Sequence, residues 1–183
     1  METNNTISIL TKAFDEHGLK YQFSETELLH EIRVPFGVKS GPFVDVRYIL
    51  TGRGNDISIR IMNLINKVPE EKRYSVIEAC NALNNKYRFL KFVLDADNDI
   101  NVEYDLPVST GDDCLGEMAF EIFIRTIQIL NEGYILFVKA LYTSDLSLSG
   151  GPSDADLLDL LKDKHDGINI TISKTSSSDP TEG

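Results

Sequence analysis

The sequence predicts an α+β domain, an antiparallel five-stranded sheet with helices packed on it in the order αβββαββα, followed by a C-terminal extension. Three observations lead there. Between residues 28 and 65, apolar and polar side chains alternate in short runs separated by Gly, Pro, Asn and Asp, the pattern of half-buried strands joined as a meander. Three further segments repeat apolar residues at helical spacing. At Ser144 the composition changes to "SDLSLSGGPSD", a linker, which divides the chain into a domain over 1–143 and an extension over 144–183.

Asn5 or Thr6 is placed to cap a first helix that carries Ile7, Leu10 and Phe14 on one face and stops at Gly18. Strands follow at Leu28–Val34, stopped by "PFG", then at Val44–Leu50 and Ile57–Ile65. Val44, Val46, Tyr48 and Leu50 share a face opposite Asp45 and Arg47, and Ile57, Ile59 and Ile61 oppose Ser58 and Arg60, so one face of the sheet is apolar. The segment "VPEEKRYSVIEACNALNNKY" predicts a helix with Pro69 in its first turn and Glu70 and Glu71 at the positive end of the macrodipole. Its Val76, Ile77, Cys80, Leu83 and Tyr87 are expected against the sheet.

The runs "FLKFVL" and "INVEYDL" predict a hairpin around aspartates 95, 97 and 99. Those aspartates open like a calcium-binding loop. Such a loop needs glycine at its sixth position and a bidentate glutamate at its twelfth, where this chain has Ile100 and Leu106, so a structural turn is the better reading.

The long helical stretch from about Cys114 to Tyr142 confines Glu117, Glu121, Arg125, Gln128, Glu132 and Lys139 to one narrow stripe. The remaining circumference is apolar and wider than the sector of about 100° that a helix lays on a sheet. A second burying surface is therefore expected: another copy of the chain, a different partner, or the C-terminal segment folded back. Phe120, Ile124, Ile127 and Phe137 are the residues expected at or near that contact. Gly133 is expected to kink or break the helix, because glycine there costs about 1 kcal/mol relative to alanine. In the extension, Ser153 opens a short helix, "INITIS" alternates like an edge strand, and the last ten residues read as disordered.

Composition narrows the class of function. With 18 basic and 29 acidic residues the net charge is -11, which disfavours nucleic acid and anionic membrane surfaces as partners. "METNNTISIL" lacks the basic start and apolar run of a secretion signal, and no stretch of about twenty uncharged apolar residues occurs, so a cytoplasmic protein is expected. Cys80 and Cys114 are too few for a disulfide framework.

No catalytic or metal-binding pattern emerges. Gly52 and Gly54 in "GRG" precede a strand rather than the helix of a dinucleotide loop. His17, His30 and His165 have no ligands at zinc spacing, and Asp112-Asp113 reads as a solvated pair. Asn81 and Asn84 are expected to satisfy backbone groups where their helix meets the next strand. No cofactor, metal or catalytic residue is assigned.

Val68-Pro69, Lys72-Arg73, the Asn81 and Asn84 pair, Phe92, the turn with Asp99-Ile100, and Tyr104-Asp105 resemble the YbjN domain family of bacterial sensory transduction regulators. The element order resembles the type III secretion chaperone-like fold. Asn98 stands where that family's turn glycine is expected, and asparagine can replace it in a left-handed conformation. The resemblance implies a non-enzymatic, protein-binding adaptor or chaperone-like regulator, expected to be a homodimer. The alternative is a small-molecule sensor or an enzyme with a pocket between sheet and helices, using His30, Asn81 and Asn84.

Overall fold

A computed structural model describes residues 3–51, 56–108 and 114–143. The elements run α1 (Thr3–Glu16), β1 (Gln22–Glu25), β2 (Leu29–Gly37), β3 (Phe43–Thr51), β4 (Asp56–Ile65), a 3-10 turn (Glu70–Lys72), α2 (Arg73–Lys86), β5 (Lys91–Leu94), β6 (Ile100–Pro107) and α3 (Leu115–Tyr142). One antiparallel sheet has the order β1-β2-β3-β4-β6-β5. The class is α+β as expected, with six strands instead of five. The turn at Gly52 and Gly54, the Asp112-Asp113 pair and the helix, strand and tail expected after Ser144 lie outside the described residues.

The additional strand, β1, is exposed at all four positions, so no burial alternation marks it in the sequence. The first expected strand also runs further, through "PFG" to Gly37. Pro35 is tolerated because β1 pairs only with His30 to Arg33, so beyond that point β2 is locally an edge and needs no N–H. α1 starts at Thr3, ahead of the expected caps, and Gly18 ends it with φ +68°, the left-handed conformation that glycine adopts without strain.

Alternation sorts the sheet into two faces. Ile32, Val34, Val44, Val46, Tyr48, Leu50, Ile57, Ile59 and Ile61 are buried beneath the helices. The opposite face carries a row in which Arg33, Arg47 and Arg60 are direct cross-strand neighbours. Like charges so placed repel. Here Glu31 lies 2.7 Å from Arg33 and 3.6 Å from Arg47, and Asp105 lies 2.7 Å from Arg60, so each guanidinium has a carboxylate beside it.

The aspartate-rich hairpin is a knot of backbone contacts. Asp95 Oδ1 accepts hydrogen bonds from the N–H groups of Asp97 and Asp99, both at 2.9 Å, and Oδ2 accepts one from Asn101 Nδ2 at 2.8 Å. The Asp99 N–H bond is the chief reason that the Asp95 carboxyl is held below the usual carboxylate range. Asp99 Oδ1 takes the N–H of Lys67 at 2.7 Å, and Asn98 has φ +67°, the conformation expected of a glycine substitute. Asp95 thus closes the turn on itself, and Asp99 ties it to Lys67 just past the end of β4, whose register shifts between Ile61 and Ile65.

Asn84 behaves as the sequence suggests. Its Oδ1 accepts from the Phe92 N–H at 2.8 Å and its Nδ2 donates to the Phe92 carbonyl at 3.0 Å. The side-chain amide therefore imitates a neighbouring strand and closes the outer edge of β5. Asn84→Ala is expected to lower stability by about 1–3 kcal/mol by leaving these half-buried groups unpaired. Urea denaturation measures the effect, and a loss below about 0.5 kcal/mol would mean that water replaces the amide at no cost.

The long helix departs most from expectation. α3 is one continuous helix through Gly133. A Cβ built on Gly133 would stand 3.3 Å from Leu83 Cδ1, so this glycine permits α2 to approach rather than breaking α3. Gly116 serves α1 in the same way, since a Cβ there would stand 2.8 Å from the Ala13 Cβ and 3.0 Å from the Ile9 carbonyl oxygen. α1 flanks the first half of α3, and α2 the second half through Leu83 and through Lys86 and Tyr87 bound to Glu132 at 3.1 and 2.6 Å. Part of the broad apolar arc is therefore covered by the chain's own α1 and α2, which were not among the burying surfaces expected for it. Val76, Cys80 and Leu83 of α2 are buried as expected; Ile77 is exposed and Ala79 takes the inward position instead.

Candidate binding groove

Because α2 covers only the second half of α3, the described residues leave the corresponding flank of the first half open. A groove of about 770 Å³ lies there. Its floor and walls are Met118, Ile122, Thr126 and Ile129 of α3, Leu90 and Phe89 from the connection after α2, and Tyr104 of β6. Glu117, Phe120, Glu121, Ile124, Arg125 and Gln128 extend its border, with Cys114 at the helix start.

Long-range pairing builds this arrangement. Tyr104 lies in the row Ile32–Tyr48–Ile59–Tyr104 across the helix-covered face. At the centre of that row Tyr48 donates its hydroxyl to the Ala119 carbonyl at 3.0 Å, which fixes the height of α3 above the sheet. Complete burial raises the Tyr48 phenol well above its usual range, so it remains a neutral donor. Phe89 stands edge-on to Tyr104 with centroids 6.0 Å apart, and the Arg125 guanidinium lies 5.5 Å over its ring. The Phe89 wall is thus held on both sides although the ring is 49 % exposed.

On the far side of the polar stripe, the His17 ring stacks on Phe120 at 3.6 Å, and its Nε2 lies 2.9 Å from Glu117 Oε2. This contact ties the end of α1 to α3 beside the groove. Inside, Thr126 is buried and its hydroxyl has no hydrogen-bond partner among the described residues. The lining is dominated by apolar atoms, and the charges sit at the rim: Glu117, Glu121 and Arg125, on successive turns of α3. Such a lining has the chemistry to accept an apolar surface that carries charge at its edge.

Of the four contact residues expected from the sequence, Phe120 and Ile124 border the groove and Ile124 is 39 % exposed. Ile127 is half-buried against the core, and Phe137 is fully buried with its ring 5.4 Å from Phe92. The alternative trio is scattered: Asn84 closes the β5 edge, Asn81 is exposed on α2, and His30 lies on β2 with Nδ1 3.6 Å from Glu25. Phe89 and Tyr104 were not foreseen, since only the fold brings them to α3. Among the described residues, no group of three or more His, Cys, Asp or Glu is placed to hold a metal ion, and no helix is long and apolar enough to cross a membrane.

The family model YbjN, described as "Putative bacterial sensory transduction regulator", matches residues 6–139. Among solved structures, "Crystal structure of YbjN, a putative transcription regulator from E. coli" is similar at 18% identity and a TM-score of 0.49, covering 70% of this chain and 90% of that one. No curated protein matches the sequence.

Proposed function

This chain belongs to the YbjN family, and on that premise we propose that it is a non-enzymatic regulator that captures an apolar segment of a protein partner in the groove beside α3. The observation that supports the reading is the open first half of α3, where Phe89 and Ile124 remain exposed beside Met118, Ile122 and Tyr104. A site of this shape suits the apolar face of an amphipathic helix, which anchors through residues spaced three and four apart. A bacterial, cytoplasmic setting is part of the proposal, as is a second copy of the chain among the candidate partners.

The test is affinity capture from a bacterial lysate with the intact chain and with Ile124→Arg. A surface substitution of this kind changes stability by less than about 0.5 kcal/mol. Placing a cation among the anchors is expected to cost about 2 kcal/mol of binding, roughly thirty-fold in affinity. Equal recovery of the same protein by both chains would remove the groove from the function. Light scattering on the pure chain separates self-association from capture of a different protein, and mass spectrometry of the purified chain would expose a retained small ligand.

A further inference from the structure

We propose that the sheet face away from the helices binds the phosphoryl group of a small molecule, free phosphate or a phosphate monoester, on the guanidinium of Arg47. The site lies across the sheet from the groove, so the inference goes beyond the reading of that groove and stands apart from it.

Of the three arginines in the cross-strand row, Arg47 is the one whose side chain makes no hydrogen bond among the described residues. Arg33 gives Nε and a terminal nitrogen to Glu31, at 2.7 and 2.5 Å. Arg60 donates to the carbonyls of Ile59 and Tyr104, both at 2.9 Å, and to Asp105 at 2.7 Å. Arg47 has only a Glu31 oxygen at 3.6 Å, beyond hydrogen-bond range, and that carboxylate is already engaged by Arg33. Its Nε is closed off from solvent without an acceptor, whereas its two terminal nitrogens are not closed off, and the side chain is 33 % exposed. An arginine fork with its outer donors unfilled is thus set between two further guanidinia, all three within about 10 Å at the spacing of neighbouring strands.

The chemistry selects the ligand. Asp45 shares this face without pairing to Arg47, and Glu103 and Lys91 continue the row beyond Arg60, so the charges on this part of the face cancel. Directional hydrogen bonds, and not bulk attraction, must therefore hold an anion here. A carboxylate presents two oxygens and would serve Arg47 alone. A phosphate monoester presents three, carries up to two negative charges at neutral pH, and can bridge Arg47 to Arg33, which keeps one terminal nitrogen outside its pair with Glu31. The net charge of -11 opposes a long polyanion, so the ligand is small.

NMR titration of the full, isotope-labelled chain tests this, with sodium chloride adjusted to hold the ionic strength constant. Inorganic phosphate is expected to shift the Arg47 Nε–H signal and the amide signals of β2, β3 and β4 saturably, with half-saturation at about 1 mM. Arg47→Lys keeps the charge and loses the fork, so the amide shifts should need about tenfold more phosphate. Asp45→Asn removes a neighbouring negative charge and should tighten binding about threefold, a gain that damaged folding cannot produce. Glycerol phosphate run beside inorganic phosphate separates the two sources: saturable binding of either supports the phosphoryl assignment, and the tighter of the two gives the ligand's form. A linear drift without saturation overturns the proposal, as does an unchanged half-point in Arg47→Lys or the lack of any gain in Asp45→Asn. Acetate bound as tightly as phosphate overturns the assignment to a phosphoryl group.

Discussion

Phe137→Ala is expected to destabilise the chain by about 3–5 kcal/mol, the cost of emptying a large aromatic site in a core that cannot close around the space. Phe137 has no solvent exposure, its ring lies 5.4 Å from that of Phe92, and it belongs to the main cluster of buried side chains. A domain of this size has only about 5–15 kcal/mol of stability in all. The variant should therefore unfold at a markedly lower urea concentration and show a lowered melting temperature. Ile124→Ala, one residue of the same helix and the same chemical kind, should change stability by less than about 1 kcal/mol, because Ile124 is already 39 % exposed. The pair thus separates core from contact. If Phe137→Ala melted like the parent while losing a partner, the residue would be an interface residue and the packing described above would be wrong.

That contrast shows what the sequence could and could not convey. Period-two alternation placed Val44, Val46, Tyr48 and Leu50 on the covered face correctly, because burial along a strand needs only local spacing. Asn84 and Asn98 were legible for the same local reason: an amide beside a strand end, and an asparagine in a tight turn. The apolar arc of α3 was also legible as an arc. Its width says how much surface must be covered, however, and nothing about which neighbours do so. Two helices from distant parts of the chain share the sheet face with α3, and each covers a different half of it. Among the described residues, one flank of the first half is left open, because α2 does not extend that far. Its walls, Phe89 and Tyr104, belong to segments that read as a loop end and a strand, and only the pairing of β4 with β6 carries Tyr104 to the helix. The strand β1 escaped because a four-residue edge with every side chain exposed has no burial pattern to detect.

The two glycines of α3 provide the second strong test, since the sequence offers no way to tell them apart. Alanine at either position should gain about 1 kcal/mol of helical propensity. At Gly133 the new Cβ would meet the ends of the Leu83 side chain at 3.3 Å, and those atoms can rotate by the few tenths of an ångström required. Gly133→Ala is therefore expected to be near neutral. At Gly116 the Cβ would meet the Ala13 Cβ at 2.8 Å and the Ile9 carbonyl oxygen at 3.0 Å, atoms fixed by the backbone of α1. Relief requires α1 to move as a body, and overpacking of that sort costs about 1–3 kcal/mol for one carbon and more for a larger side chain. Gly116→Leu should accordingly detach α1 from α3, break the stacking of His17 on Phe120 and lose several kcal/mol, read as an early phase in a thermal melt. Ala13→Gly in the Gly116→Ala background should recover part of the loss but not all, because the Ile9 oxygen remains, and a double-mutant cycle should show a coupling of about 0.5–3 kcal/mol. Were Gly133→Ala the more damaging of the two, α3 would need its glycine for bending after all, and the assignment of Gly116 and Gly133 as crossing points would fail.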